Sequence, residues 1–358
     1  MALRILIAGG GTGGHVIPAL AIARELRDKN SAEVRFVGTA RGLETRLVPE
    51  AGFPLELIHV GQLKNVSLVT RLRTLADLPL GILRCISLLR SFKPQVVIGV
   101  GGYASGPAMM AAILLRIPTV AFEPNAVPGL ANRLVGKYVS AAAVNFASTT
   151  SYFRNARVAG IPVRREFFDI APKTPGPLRL LVFGGSQGAW VLNDVMPKIA
   201  AELLARFPEL TIVHQVGGRN GDSTAAAYAN AGITDQRLIR TLYLDAMVDE
   251  IAAADLILCR SGASTVAELA AAGRASILVP FAAAADDHQR KNAEVFVNAG
   301  AAAMILEGEL TPERAVTDIT RLLEDSEARR KMAEAARTLA HANAAGEIAQ
   351  MCVALAAM

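Results

Sequence analysis

The chain has 358 residues, 52% of them apolar and 19% charged, a balance that excludes a disordered or fibrous protein and leaves room for two domains with their own cores. Thirty-seven basic residues against 32 acidic ones give a net charge of +5. That mild excess suits an anionic substrate or membrane face, and 5% aromatics speak against a base-stacking nucleic-acid surface.

The opening MALRILIAGG lacks the basic lead and apolar core of a signal peptide, and no later stretch reaches the ~18 uncharged apolar residues of a membrane span. A β-branched run ends at Gly9-Gly10-Gly11-Thr12-Gly13-Gly14-His15, and a helical pattern through Ile17, Leu20, Ala21 and Arg24 follows. This is the start of a β-loop-α unit. Further strands are expected at residues 34–37, 55–60, 95–100, 119–122 and 141–144, separated by helix-length segments, the alternation of a parallel sheet.

Pro162, Pro172, Pro175 and Pro177 then mark a boundary within residues 160–177. Beyond it LRLLVFGGSQGA at 178–189 aligns without gaps to LRILIAGGGTGG at 3–14, so the opening motif occurs twice and a second α/β domain is expected. Its other strands are placed at 211–216, 238–242, 255–259, 276–280 and 302–306, and the alanine-rich segment 312–358 reads as helical throughout. Domains are therefore expected at 1–162 and 163–340, with a last helix of about 341–358 free to pack back on the first. Cys85, Cys259 and Cys352, odd in number and widely spaced, read as buried thiols of a reducing compartment, the cytosol.

Ligands of open α/β sheets bind outside the carboxyl ends of the strands. The first glycine loop lets backbone amides approach phosphates or a sugar at a helix N-terminus. It also satisfies the dinucleotide pattern, yet that fold wants an acid at the end of the second strand, where this chain has Gly38, Thr39 and Ala40. Arg41 is a possible 2′-phosphate ligand, so an NADP site is weakened and stays open. No GK[ST] follows the glycines, which rejects a Walker-type nucleotidase. Other strand-end groups are Tyr103 in Gly101-Gly102-Tyr103-Ala104-Ser105-Gly106, readable as core or as substrate contact, and Glu123-Pro124-Asn125.

In the second domain Gly184-Gly185-Ser186-Gln187-Gly188 is the copied loop, and Arg260-Ser261-Gly262-Ala263-Ser264-Thr265 opens a helix carrying Glu268. Thr265 and Glu268 have capping-box spacing, so Glu268 either caps its own helix or faces a ligand; Asp286 and Gln289 share the ambiguity. The sequence holds no Asp-x-Asp pair for a magnesium-bound diphosphate. Helix ends, not a metal, are expected to hold it.

With GGGTGGHVIPALAIA, VGGYASGP, EPNAVPGLANR, GIPVR, FGGSQGAWVLN, CRSGASTVAELAAAGRASILVPF and DDHQRKNA in series, the whole chain resembles the MurG family of glycosyltransferases. Where that family usually reads Glu-Gln-Asn, this chain has Glu123-Pro124-Asn125. The resemblance implies an α/β GT-B fold, two Rossmann-like parallel-sheet domains facing a cleft. It implies inverting transfer of N-acetylglucosamine from UDP-GlcNAc to the C4 hydroxyl of undecaprenyl-diphosphate-linked MurNAc-pentapeptide, without cofactor or metal. The residues it carries over for the donor are Thr12, Gly13, Gly14, Asn125, Arg164, Ser186, Leu244, Ala263, Ser264, Thr265, Val266, Ala267, Glu268 and Gln289. His15 is the leading base, because an unperturbed imidazole pKa of ~6.5 suits neutral pH, and Glu123 is its alternate or orienting partner. Arg164, Arg260 and the helix ends after Gly188 and Gly262 are expected to stabilise the leaving diphosphate.

A polyprenyl acceptor demands a membrane contact, expected at the cytoplasmic face of the inner membrane. Residues 64–93 hold six basic side chains (Lys64, Arg71, Arg73, Arg84, Arg90, Lys93) against Asp77 alone, beside leucines that Pro79 is expected to divide into two short amphipathic stretches. Arg71, Arg73, Arg84 and Arg90, with Tyr103 on the acceptor side, are the candidates for an anionic membrane surface. The rival readings are another GT-B glycosyltransferase acting on a glycolipid, an NADP-dependent reductase, and a non-catalytic sugar-nucleotide module.

Overall fold

The structure is a computed structural model that describes residues 3–60, 68–185 and 187–358, for 68–76 the backbone alone. It divides into one unit of residues 1–163 with 343–358 and a second of residues 164–342. In the first, the order is β1 (Arg4–Ala8), α1 (Gly13–Asn30), β2 (Glu33–Gly38), α2 (Glu44–Glu50), β3 (Leu55–Leu57), α3 (Leu68–Phe92), β4 (Val96–Gly99), α4 (Ser105–Leu114), β5 (Thr119–Glu123), α5 (Leu130–Val135), β6 (Ala141–Val144) and β7 (Ala156–Val158). The sheet runs β3-β2-β1-β4-β5-β6-β7, every pair parallel. Ile5, Leu6, Ile7, Val96, Val97 and Ile98 are fully buried, as a parallel strand covered on both faces requires.

The second unit repeats the scheme: α6 (Arg165–Phe168), β8 (Arg179–Phe183), α7 (Trp190–Arg206), β9 (Thr211–Gln215), α8 (Gly221–Asn230), β10 (Leu238–Thr241), α9 (Met247–Ala253), β11 (Leu256–Cys259), α10 (Ala263–Ala272), β12 (Ser276–Leu278), α11 (His288–Asn298), β13 (Ala303–Met304), α12 (Pro312–Glu324) and α13 (Ser326–Thr338). Its sheet is β10-β9-β8-β11-β12-β13, again all parallel. The strand order reverses beside β1 in one unit and beside β8 in the other. Both copies of the glycine loop therefore leave the carboxyl end of the strand at a topological switch point, where open α/β sheets take ligands.

Residues 312–358 are not one continuous helix. Asp325 ends α12 and its carboxylate caps α13, accepting from the Ala328 amide at 2.8 Å, and residues 339–343 break the chain again before α14 (Ala344–Ala356). That last helix belongs to the first unit and packs on α1, burying Ile348, Ala349 and Cys352. Pro79 does not divide α3, which runs unbroken from Leu68 to Phe92. Its buried stripe of Gly81, Cys85, Leu89 and Phe92 packs on α4, and packing of that extent offsets the ~3 kcal/mol that a proline costs inside a helix. The three cysteines are buried and unpaired.

Candidate active site

In the first unit the loop after β1 interlocks with the loop after β4. The Gly9 amide donates to the Val37 carbonyl (3.0 Å) and the Gly10 amide to the Gly101 carbonyl (3.3 Å); a Cβ at Gly102, whose φ is +79°, would strike the backbone of Gly10. Thr12 is the N-cap of α1, its carbonyl accepting from the amides of His15 and Val16, both at 3.1 Å. The amides of Gly13 and Gly14 are the first helix donors, open among the described residues. His15, in the first turn, lies against the second loop: a Cβ on Gly101 would come 3.0 Å from its Nε2. Tyr103 stands 41% exposed in that second loop, which sets aside core packing.

Glu123 ends β5 and is buried. Its Oε1 accepts from the Asn125 amide (3.0 Å) and Nδ2 (3.2 Å), its Oε2 from the Gly129 amide (2.9 Å) and Asn132 Nδ2 (3.0 Å). Burial pushes this carboxyl above its usual range, and the donors of Asn132, Asn125 and Gly129 oppose that. Both oxygens are engaged within the turn that leads to α5, so Asn125 and Glu123 are brought together there and Pro124 lies between them.

A carboxylate that sequence reasoning passed over also reaches the glycine loop. Glu44, at the start of α2 and 1% exposed, accepts from the Gly11 amide on Oε2 (2.7 Å) and from the Thr39 amide and hydroxyl on Oε1 (3.0 and 3.1 Å). A Cβ at Gly10, Gly38 or Gly42 would collide with it. It fills the space at the end of β2 where a dinucleotide fold holds ribose. The signal was present in Gly38 and Gly42, spaced around Thr39 just before Glu44.

In the second unit the copied loop is closed by the Gly188 amide on the Gly185 carbonyl (2.8 Å), with both glycines at positive φ. The Gly184 amide donates to Gln215 Oε1 (3.3 Å), and Gln215 Nε2 donates to the Leu242 carbonyl (3.0 Å). Ser186 lies outside the described residues. At α10 the N-cap is Gly262 and no side chain caps the helix, so Glu268, well into its second turn, is out of reach of the capping role its spacing from Thr265 allowed. The first helical bond is Val266 amide to Gly262 carbonyl (3.0 Å), leaving the amides of Ala263, Ser264 and Thr265 open among the described residues. Val266 itself is fully buried and Ala267 half-buried.

Glu268 makes no hydrogen bond among the described residues, and burial lifts its carboxyl to about 7 against the opposing charge of Arg164. The Ser264 hydroxyl is buried and without a partner among the described residues. Arg164, N-cap of α6, lies with its guanidinium 5.0 Å from the Phe167 ring. Leu244 is half-buried in the segment after β10. Gln289 joins this site to α11: its Oε1 accepts from the Phe281 amide (3.0 Å) and its carbonyl from Ser261 Oγ (2.9 Å). Arg260 does not meet its expectation. Its guanidinium Nη1 donates to the carbonyls of Val279 and Pro280 and to Glu307 (3.1, 3.2 and 2.9 Å), an internal brace rather than a diphosphate ligand.

The second unit thus has an uncapped helix start on the same helix as Glu268, a carboxylate with no hydrogen bond among the described residues. Residues 5–144 match the glycosyltransferase family 28 N-terminal domain and residues 179–348 the family 28 C-terminal domain. The chain belongs to glycosyltransferase family 28. Within it the chain falls in the MurG group. A UDP-N-acetylglucosamine–N-acetylmuramyl-(pentapeptide) pyrophosphoryl-undecaprenol N-acetylglucosamine transferase of Anaeromyxobacter dehalogenans (strain 2CP-C) is 45% identical, covering 99% of this chain and 93% of its own. A transferase of the same name from Syntrophotalea carbinolica is 42% identical over 98% of each chain. The crystal structure of Acinetobacter baumannii MurG matches with a TM-score of 0.81 at 30% identity, over 98% of this chain and 99% of that one. The two parallel-sheet units are those of the GT-B fold, and a family 28 member is a glycosyltransferase, which removes the reductase and the non-catalytic module.

On α3 of this family 28 chain, Leu80 (67% exposed) and Leu83 (60%) project with Arg84 and Arg90, opposite the stripe packed on α4. The side chains of Arg71 and Arg73 lie outside the described residues. Among the described residues no helix is long and apolar enough to cross a membrane.

Proposed function

We propose that the chain transfers N-acetylglucosamine from UDP-GlcNAc to the C4 hydroxyl of MurNAc-pentapeptide on undecaprenyl diphosphate, the lipid I to lipid II step of peptidoglycan synthesis, with inversion at the anomeric carbon. The observation that carries the site assignment is Glu268, a half-buried carboxylate raised to about 7 with no hydrogen bond among the described residues. A ribose donating two hydroxyls to it makes charge-assisted bonds worth ~1.5–3 kcal/mol. The open amides of Ala263, Ser264 and Thr265, with Ser264 Oγ and Arg164, take the departing diphosphate.

Inversion requires one displacement. His15 removes the acceptor hydroxyl's proton, the oxygen attacks the anomeric carbon as it becomes oxocarbenium-like, and the bond to UDP breaks with its electron pair moving to the diphosphate. Glu123, with both oxygens held by its own turn, keeps Asn125 in place. Leu80, Leu83, Arg84 and Arg90 rest on anionic lipid at the cytoplasmic face of the inner membrane, which delivers the polyprenyl acceptor.

Titration calorimetry with UDP, UDP-GlcNAc, UDP-glucose and NADPH tests the donor reading. UDP and UDP-GlcNAc are expected to bind the wild-type chain and to bind weakly to Glu268→Ala. Equal affinity of the variant for UDP-GlcNAc would remove Glu268 from the donor site.

A further inference from the structure

Glu44 belongs to no part of the reaction described so far, and it is the one carboxylate in contact with the first glycine loop among the described residues. It starts a helix, so a mere cap would place its oxygens on the amides of α2 itself. Instead both oxygens point away, onto the Gly11 amide and onto the amide and hydroxyl of Thr39. The Leu43 amide in turn donates to the Gly11 carbonyl at 3.1 Å, so residue 11 is gripped on both its polar groups by the start of α2. Three glycines, Gly10, Gly38 and Gly42, leave the volume that the Glu44 side chain occupies. A buried carboxylate with three donors is a rigid fixture, since releasing it would leave a charge unsolvated.

We infer that Glu44 is a positioning residue for the transfer reaction: it locks the Gly9–Thr12 segment against the end of β2 and thereby sets where α1 begins and where His15 stands against Gly101. The inference rests on His15 acting as the base. It separates positioning from binding of the donor's diphosphate and ribose, because the α10 start and Glu268 that receive them belong to the other unit. Loss of the lock shifts a first-turn side chain by a fraction of its hydrogen-bond reach, and misplacement by 1 Å is enough to cost ~100-fold in rate.

The test measures kcat and donor KM of the full-length enzyme with a soluble short-chain acceptor. Glu44→Gln keeps shape but turns one accepting oxygen into a donor facing an amide or the Thr39 hydroxyl. It is expected to lower kcat by roughly 10- to 100-fold and to leave the UDP-GlcNAc KM within about twofold. Thr39→Val, which removes one donor and keeps the fold, should lower kcat less, in the same direction. Combined with His15→Ala, Glu44→Gln should add no further loss, because the group it positions is gone. A kcat within about twofold of wild type for both single variants overturns the inference, as does a loss that multiplies with that of His15→Ala. Should Glu44→Gln fail to fold, Thr39→Val alone decides on the same criteria. If His15→Ala by itself costs tenfold or less, the base assignment fails instead, and the kcat-against-KM split of Glu44→Gln judges Glu44 separately.

Discussion

The same twelve-residue motif opens both units, and its two copies have been put to opposite electrostatic use. In the first, a carboxylate from α2 occupies the Gly11 amide; in the second, the anchor is the neutral Gln215 amide, and no carboxylate bonds to the loop among the described residues. An amide already neutralised by an internal anion has less to offer an external one. The comparison teaches that a glycine loop announces close backbone approach, while the charge of the group that braces it is set by residues elsewhere in the chain.

The sharpest way to break this division is His15→Ala, which should lower kcat by ~10²–10⁴-fold while leaving UDP affinity nearly unchanged. Steady-state rates against pH should also lose their acidic limb. UDP affinity falling together with kcat would put donor binding in the first loop as well.

Changing Arg71, Arg73, Arg84 and Arg90 together to Glu should abolish binding to anionic vesicles, at ~1 kcal/mol for each basic residue lost near the surface. Activity on a soluble short-chain acceptor should survive, since none of the donor residues lies on α3. Co-sedimentation that ignores both this reversal and added salt would move the membrane contact off α3.

Glu268→Ala should reduce donor kcat/KM by roughly 10- to 100-fold, the worth of charge-assisted bonds to two hydroxyls. Wild-type donor kinetics in that variant would leave the second unit without its ribose partner and weaken the contrast between the units.

The smallest effect is on stability. A carboxyl held at about 7 in the folded chain, against an ordinary value near 4.5 when unfolded, contributes stability that is full below ~4.5 and lost as pH rises through 7. Without donor, Glu268→Gln should therefore raise Tm by ~2–4 °C at pH 8 and leave it unchanged at pH 4.5. A variant no more stable at pH 8 would mean that Glu268 is well solvated before donor arrives.

The strands flanking both loops were legible because apolar, largely β-branched runs ending in glycine have few other uses in a chain of this composition. β7 was not: Ala156-Arg157-Val158 is three residues long, half-exposed at a sheet edge, and carries no period to read. Glu268 was assigned to the donor by the resemblance alone, since its spacing from Thr265 left a cap open until Gly262 was seen to begin the helix. Arg260 was misread because a basic residue at a strand end has the same signature whether it faces a ligand or, as here, Glu307.

Sequence by itself determined the repeated α/β scheme, the glycine loops and the family, because backbone conformation and close approach constrain which residues stand next to one another. Tertiary structure alone decided that Pro79 leaves α3 whole, that α14 packs on α1, and that Glu44 reaches across to the Gly11 amide. Each of these depends on partners distant in the chain, whose burial outweighs a local preference or satisfies a group that local spacing leaves undetermined.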